Sequence, residues 1–253
     1  GLGTPREAMR LIGNPQQPRL VAIKSGRDHT LALETMAVKR LSDLEELDLS
    51  GFVFKKDSPS CGVERVRTYN EHGMPGRKGV GLFARAFLDR FPLIPVEEEG
   101  RLCDPLLREN FIERVFCYRR WQDLVQRGVT RQGLVRFHTV HKYLLLAHSA
   151  PHYRQLGRLV AQVNEYRPKD LAIRYGELFM QALAAKATVR KHVNVLQHIL
   201  GHFKERLDAQ EKAELLGVIA DYHQGLTPLI VPLTLIKHYV QLFDVEYIRE
   251  QVY

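Results

Sequence analysis

The stretch GFVFKKDSPSCG, Gly51 to Gly62, decides how the first hundred residues are read. Four apolar residues followed by a cluster of Asp, Ser and Pro describe a short buried strand that runs into a turn. A cysteine just past the carboxyl end of a strand stands where open α/β sheets place their ligands. Around Cys61 the two serines, Gly62 and the pair Lys55 and Lys56 offer hydroxyl and backbone donors and positive charge, a set suited to a thiolate or an anionic sulfur. The plainer alternative is a small cysteine packed beside a Ser- and Pro-rich turn, and on the residues alone both readings stand.

Outward from this stretch, short apolar runs alternate with helical spacing. Arg19 to Ile23 (RLVAI) reads as a strand and Thr30 to Leu47 as a helix. Tyr69 to Gly81 reads as a loop, because it is rich in Gly and contains Pro75. Val80 to Phe91 returns to helical spacing, and Leu93 to Glu97 reads as a last short strand. That order predicts an α/β fold with a parallel sheet. From Asp104 onward no strand signal survives. Asp104 and Pro105 form a cap and first-turn pair opening a helix to about Gln126. Further helices are expected at about 130–147, 151–164, 169–185, 189–206, 208–224 and 228–243. The chain thus divides into an α/β domain over 1–125 and an all-helical domain over 126–253.

The composition, 45% hydrophobic and 26% charged over 253 residues, is that of a chain that buries a core. No apolar run approaches the roughly 20 residues that cross a bilayer. Three widely spaced cysteines, Cys61, Cys103 and Cys117, do not form a disulfide framework, so a reducing cytoplasmic setting is expected. The net charge of +8 favours polyanionic partners. Its distribution sharpens this, since Leu124 to Asn164 contains no Asp or Glu. The candidate RNA contacts are Arg131, Arg136, His138, His141 and Lys142, then His152 and Arg154, with Arg190 and Lys191 as an extension. A solvated face is the plainer reading of such a run. The histidines lack HExxH or Cys/His zinc spacing and are not read as a metal site. Glu97, Glu98 and Glu99 are read as a solvated strand end pairing with Arg101 and Arg108, with a carboxylate cluster for acid–base work or hard-metal binding as the other reading. Arg6, Lys24, Arg27 and Asp28 are read as loop residues facing the Cys61 side, there to contact a nucleotide phosphate or to bridge strand to helix.

SPSCG followed by ERV, then GMPGRKGVGLFAR and PVEEEGRL, resembles the thiouracil desulfidases, and GLGTPREAMRL and KSGRDHT fit the same family over roughly residues 1–120. RFHTVHKYLLLAHS (136–149), RKHVNVLQHILGHFK (190–204) and GLTPLIVPLTLIKHY (225–239) resemble the YbgA-type helical domain. The resemblance implies that the parallel sheet is Rossmann-like and incomplete at its N-terminus. It also implies a [4Fe–4S] cluster held by three cysteines, with one open iron that takes sulfur from a thiocarbonyl. Cys61 matches the last of the three ligands, and Ser58 and Ser60 are the serines placed to orient substrate. The other two cysteines and a glutamate would precede Gly1, so this chain alone is expected to hold no cluster. Cys103 stands where the family has Asn and Cys117 at a variable helix position, and neither is read as a ligand. The implied substrate is 4-thiouridine in tRNA or free thiouracil. The rival is a noncatalytic module binding nucleic acid or a partner, with a structural cysteine.

Overall fold

The computed structural model describes residues 7–70 and 72–253, which divide into two compact units at the junction of Arg120 and Trp121. In the first unit the elements run β1 (Met9–Ile12), β2 (Arg19–Ala22), α1 (Thr30–Glu45), β3 (Phe52–Phe54), β4 (Val66–Tyr69), β5 (Pro75–Gly79), α2 (Leu82–Arg90) and β6 (Val96–Glu98), and α3 (Pro105–Gln126) carries the chain across the junction. The expected α/β class holds, but the strands form two small sheets. One is mixed, in the order β2-β1-β4-β5, and the other is the parallel pair β3-β6. Connection length explains the mixture. β1 to β2 and β4 to β5 are joined by short turns and must be antiparallel, whereas β1/β4 and β3/β6 are joined by long crossovers and lie parallel.

β5 occupies part of the stretch expected to be loop. Its sequence PGRKG carries no strand propensity, yet Pro75 opens the strand, a position that costs no ladder bond. Gly79 is required by close approach, because a Cβ there would lie 2.2 Å from Thr68 Oγ1. Met9–Ile12, Val66–Tyr69 and the last short helix are elements the sequence reading does not predict.

α1 serves two cores. Leu33 packs with Leu11, Leu20, Val66 and Leu82, while Ala37, Leu41 and Leu44 pack with Phe54, Phe83, Phe87 and Ile94. Phe87 is fully buried, with ring centroids 4.6 Å from Phe52, 5.2 Å from Phe54 and 4.8 Å from Phe91. Burial of one such ring stabilises by about 2–3 kcal/mol.

The second unit is helical: α4 (Arg131–Val140), α5 (Lys142–His148), α6 (Ala150–Ala161), α7 (Pro168–Ala184), α8 (Val189–Leu200), α9 (Ala209–His223), α10 (Ile230–Leu242) and α11 (Glu246–Arg249). Thr130 and Thr188 cap α4 and α8 through their hydroxyls, and Asp208 and Glu211 form a capping box at α9. The helix expected over 130–147 is broken at His141, whose φ of −98° and ψ of 4° leave the helical region. Val195, Leu196, Ile199, Phe203, Leu215, Ile219 and Ile236 lie in its main core. Among the described residues no helix is long and apolar enough to cross a membrane.

Candidate functional site at Cys61

The turn after β3 is built by hydrogen bonds from its own serines. Ser58 Oγ accepts from the amides of Ser60 (3.3 Å) and Cys61 (3.2 Å), and Gly62 N donates to Ser58 O at 2.8 Å. The carbonyls of Pro59 and Ser60 then accept from Leu82, Phe83 and Ala84 N. These are first-turn amides of α2, which have no partner within the helix. The turn is therefore joined to the start of α2. Ser58 Oγ lies 3.0 Å from Ser60 Oγ, which in turn lies 3.2 Å from Cys61 Sγ, so the three side chains form one short polar chain.

The segment following the cysteine is held by an acid. Glu98 is 2% exposed, and its Oε1 accepts from Val63 N at 2.7 Å and Glu64 N at 3.2 Å. The three consecutive glutamates are held by different partners. Glu97 pairs with Arg101 at 2.6 Å, as the sequence suggests, whereas Arg108 donates to Leu102 O. Glu99 takes Lys55 Nζ at 3.0 Å and Lys56 N at 2.6 Å. The Lys55 hydrogen bond holds the Glu99 carboxyl below the usual range. This corrects two readings: Glu98 is an interior anchor and not a solvated end, and the Lys55 ammonium is engaged by Glu99.

Cys61 is half-buried and, with Ser60, lines an open cavity of about 350 Å³ walled by Leu33, Met36, Arg40 and Leu44 of α1, Phe52 of β3 and Phe83 of α2. The four α1 residues lie near one helix face by spacing, which is the signal that could have located the wall in the sequence. Ser58 does not line the cavity. The remaining thiols stand apart. Cys103 is exposed, and Cys117 is buried with its thiol pushed up to about 12 by desolvation. Among the described residues no group of three His, Cys, Asp or Glu could hold a metal ion. Of the loop residues expected on this side, Arg6 lies outside the described residues, Lys24, Arg27 and Asp28 do not line the cavity, and Asp28 accepts from Thr30 N and pairs with Arg19, bridging strand to helix.

The expected RNA contacts are not all exposed. His141 is 1% exposed, stacks on Phe137 and has Nδ1 2.7 Å from Phe137 O, so it is a core residue and not a surface contact. His138 is half-buried, with Nδ1 3.1 Å from Tyr175 Oη. Lys191 Nζ donates to the carbonyls of His148 and Lys186, closing the ends of two segments. Lys142 Nζ lies over the rings of Tyr143 and Tyr247, and His152 Nδ1 is 2.8 Å from Ser149 Oγ. Arg131, Arg136, Arg154 and Arg190 remain exposed. The sequence reading missed this division because one broken helix was read as continuous.

Burial pushes the His138 imidazole down to about 4, with the charge of Lys142 acting in the same direction. The unfolded chain takes up this proton near 6.5 and the folded chain resists until about 4, so stability present in full above pH 6.5 is lost as the pH falls towards 4, by about 3 kcal/mol. Urea midpoints at pH 7 and 4.5 should fall further for the parent than for His138→Asn. An equal fall in both would show that His138 does not contribute.

Residues 1–99 match the family described as 2-thiouracil desulfurase, and residues 142–253 match the family described as a protein of unknown function (DUF1722). The uncharacterised protein YbgA of Escherichia coli (strain K12) is 35% identical over 146 residues, covering 57% of this chain and 86% of that protein. The chain belongs to the YbgA family. The two family matches stand in the order desulfurase-like then DUF1722, the fused order expected from the motifs. No solved structure matches the chain.

Proposed function

We propose that the protein removes sulfur from a thiolated uracil, in tRNA or as the free base, at the Cys61 cavity, and that its helical unit contacts RNA. The observation that carries the reading is a half-buried thiol, beside a hydroxyl, on the wall of an open and largely apolar cavity in the part of the chain similar to 2-thiouracil desulfurase. The net reaction replaces C=S by C=O: water adds at the ring carbon, the carbon–sulfur bond breaks, and hydrosulfide leaves with the proton balance closed by water.

Cys61 fits one ligand of a [4Fe–4S] cluster, since its thiol is accessible and its backbone is fixed on both sides. The described residues supply no second thiol at this place, so they would hold such a cluster through Cys61 alone. Such a cluster supplies a coordinatively open iron, a soft Lewis acid suited to sulfur. The chain's own contribution is positional. Phe52, Phe83, Leu33 and Leu44 give an apolar wall for a pyrimidine ring, Ser60 offers its hydroxyl to a ring heteroatom, and Ser58 holds the Cys61 and Ser60 amides.

Sulfide release from 4-thiouridine-containing tRNA and from free 4-thiouracil, by protein expressed from the whole reading frame and reconstituted anaerobically with iron and sulfide, tests this. The parent should release sulfide and Cys61→Ala should release none. Protein that takes up no iron would turn the reading towards a noncatalytic binding module, and sulfide released equally well without Cys61 would remove the chemistry from this cavity. For the RNA part, Arg136→Gln with Arg154→Gln should weaken tRNA binding at low salt and flatten its salt dependence by about 0.7–0.9 for each phosphate no longer neutralised. Unchanged binding would remove the helical unit from the interface.

A further inference from the structure

The four-stranded sheet has one apolar face and one cationic face. Leu11, Leu20, Val66 and Thr68 are buried on the first, where the α1 residue Leu33 covers them. Because side chains alternate along a strand, Arg10, Arg19, Arg67 and Tyr69 stand on the other face. Arg77 joins them, since it lies opposite Arg67 in the antiparallel ladder of β4 and β5. The four strands contain no Asp or Glu. Like charges placed directly opposite destabilise a sheet, so the Arg67 and Arg77 pair is a cost that no acid within the four strands offsets.

At one end of this face, where β1 and β4 finish, is a cavity of about 550 Å³, within the range of about 300–1,000 Å³ usual for ligand sites. Arg10 and Arg19 line it together with Tyr69, Asn14 and Asn70. The Arg10 guanidinium lies over the Tyr69 ring at 5.1 Å, which fixes its plane, and its Nε is buried with no acceptor among the described residues. A buried charged donor left without an acceptor is costly. Asn14 Oδ1 accepts from Gln16 N, and Asn70 Oδ1 accepts from His72 and Met74 N, so each asparagine has its acceptor used and its amide nitrogen left to donate. Arg19 makes one long, exposed ion pair with Asp28 at 3.6 Å, which contributes little. The cavity is thus furnished with donors and positive charge, and its aromatic wall is already occupied by a cation.

We propose that this sheet face binds the phosphate groups of an RNA strand, with one phosphate seated in the Arg10 cavity and the strand continuing over Arg67 and Arg77. A guanidinium presents paired donors that match phosphate oxygens, and several spaced arginines suit a polymer better than a single small anion. The inference rests on the geometry of this face and would stand even if Cys61 performed no chemistry.

Fluorescence anisotropy of a short labelled single-stranded RNA against the whole protein, titrated across a salt series, tests it. Arg10→Gln should weaken binding about tenfold, the effect of removing one charge-assisted hydrogen bond. Arg67→Gln with Arg77→Gln should lower the slope of log K against log salt by about 1.4, the value for two single-strand phosphates. Both residues are exposed, so this double variant keeps the proposal open to refutation if Arg10→Gln folds poorly. Parent-like RNA binding by the sheet variants would overturn it, whatever the helical variants do. So would binding of inorganic phosphate or a uridine monophosphate without any binding of RNA. Because anisotropy reads RNA binding and not sulfide, a parent that binds RNA but releases no sulfide fails the desulfidase reading alone, and sheet variants that bind RNA like the parent fail this proposal alone.

Discussion

Gly81→Ala is expected to displace the Cys61 turn and to abolish sulfide release. The backbone of Gly81, at φ −61° and ψ 146°, suits any residue, so the penalty is steric. An added Cβ would lie 2.4 Å from the carbonyl carbon and oxygen of Ser60 and 2.7 Å from the Cys61 amide nitrogen. None of these is the end of a flexible side chain. Either the turn or the start of α2 must move, breaking the bonds from Phe83 and Ala84 to Ser60 O. Overpacking of a tight contact costs about 1–3 kcal/mol, and a clash against backbone belongs at or above the upper end. Urea unfolding should report that loss, and peptide-resolved alkylation should show a changed rate at Cys61 while exposed Cys103 is unaffected. A variant with parental stability and parental Cys61 labelling would refute the close approach.

Glu98→Ala should be comparably damaging from the other side of the cysteine. It removes the acceptor of two amides, those of Val63 and Glu64, from a residue that is almost wholly buried. The amides are only partly buried, so each orphaned donor costs about 1 kcal/mol, and a total of about 2 kcal/mol is expected. Glu98→Gln keeps an acceptor oxygen and should retain most of the stability. Glu97→Ala breaks a partly exposed ion pair with Arg101 and should cost no more than about 1 kcal/mol. If the alanine variants at 97 and 98 prove equally mild, the buried carboxylate is not what holds the loop.

The contrast between neighbouring glutamates shows where sequence reading stops. GFVF, RLVAI and the periodic run from Thr30 announce themselves because burial on one face imposes a period, and α1, β2 and β3 fall where that period puts them. β5 is hidden because its residues are chosen for what they lack: Gly79 for its missing Cβ and Pro75 for its missing amide. Cys61 and the serines are legible as a group, but their roles separate only in three dimensions, with Ser60 on the cavity wall and Ser58 behind it. Glu98 looks like its neighbours because nothing local distinguishes a carboxylate that meets solvent from one that meets two amides thirty-odd residues away in the chain. His141 escapes for a related reason: one non-helical residue rotates everything after it, and no period survives that step.

The union of the Cys61 turn with α2 has a further consequence. Because Pro59 and Ser60 are bonded to the first amides of a helix whose Phe87 is locked among aromatic rings, the sulfur cannot shift without disturbing the core behind it. The opposite wall is of another kind, since Met36 is 46% exposed and Arg40 also faces solvent. One side of the cavity is an anvil and the other an adjustable jaw. Under the proposed function, changes in which thiolated base is admitted can therefore accumulate at positions 36 and 40 while the sulfur of Cys61 stays in register.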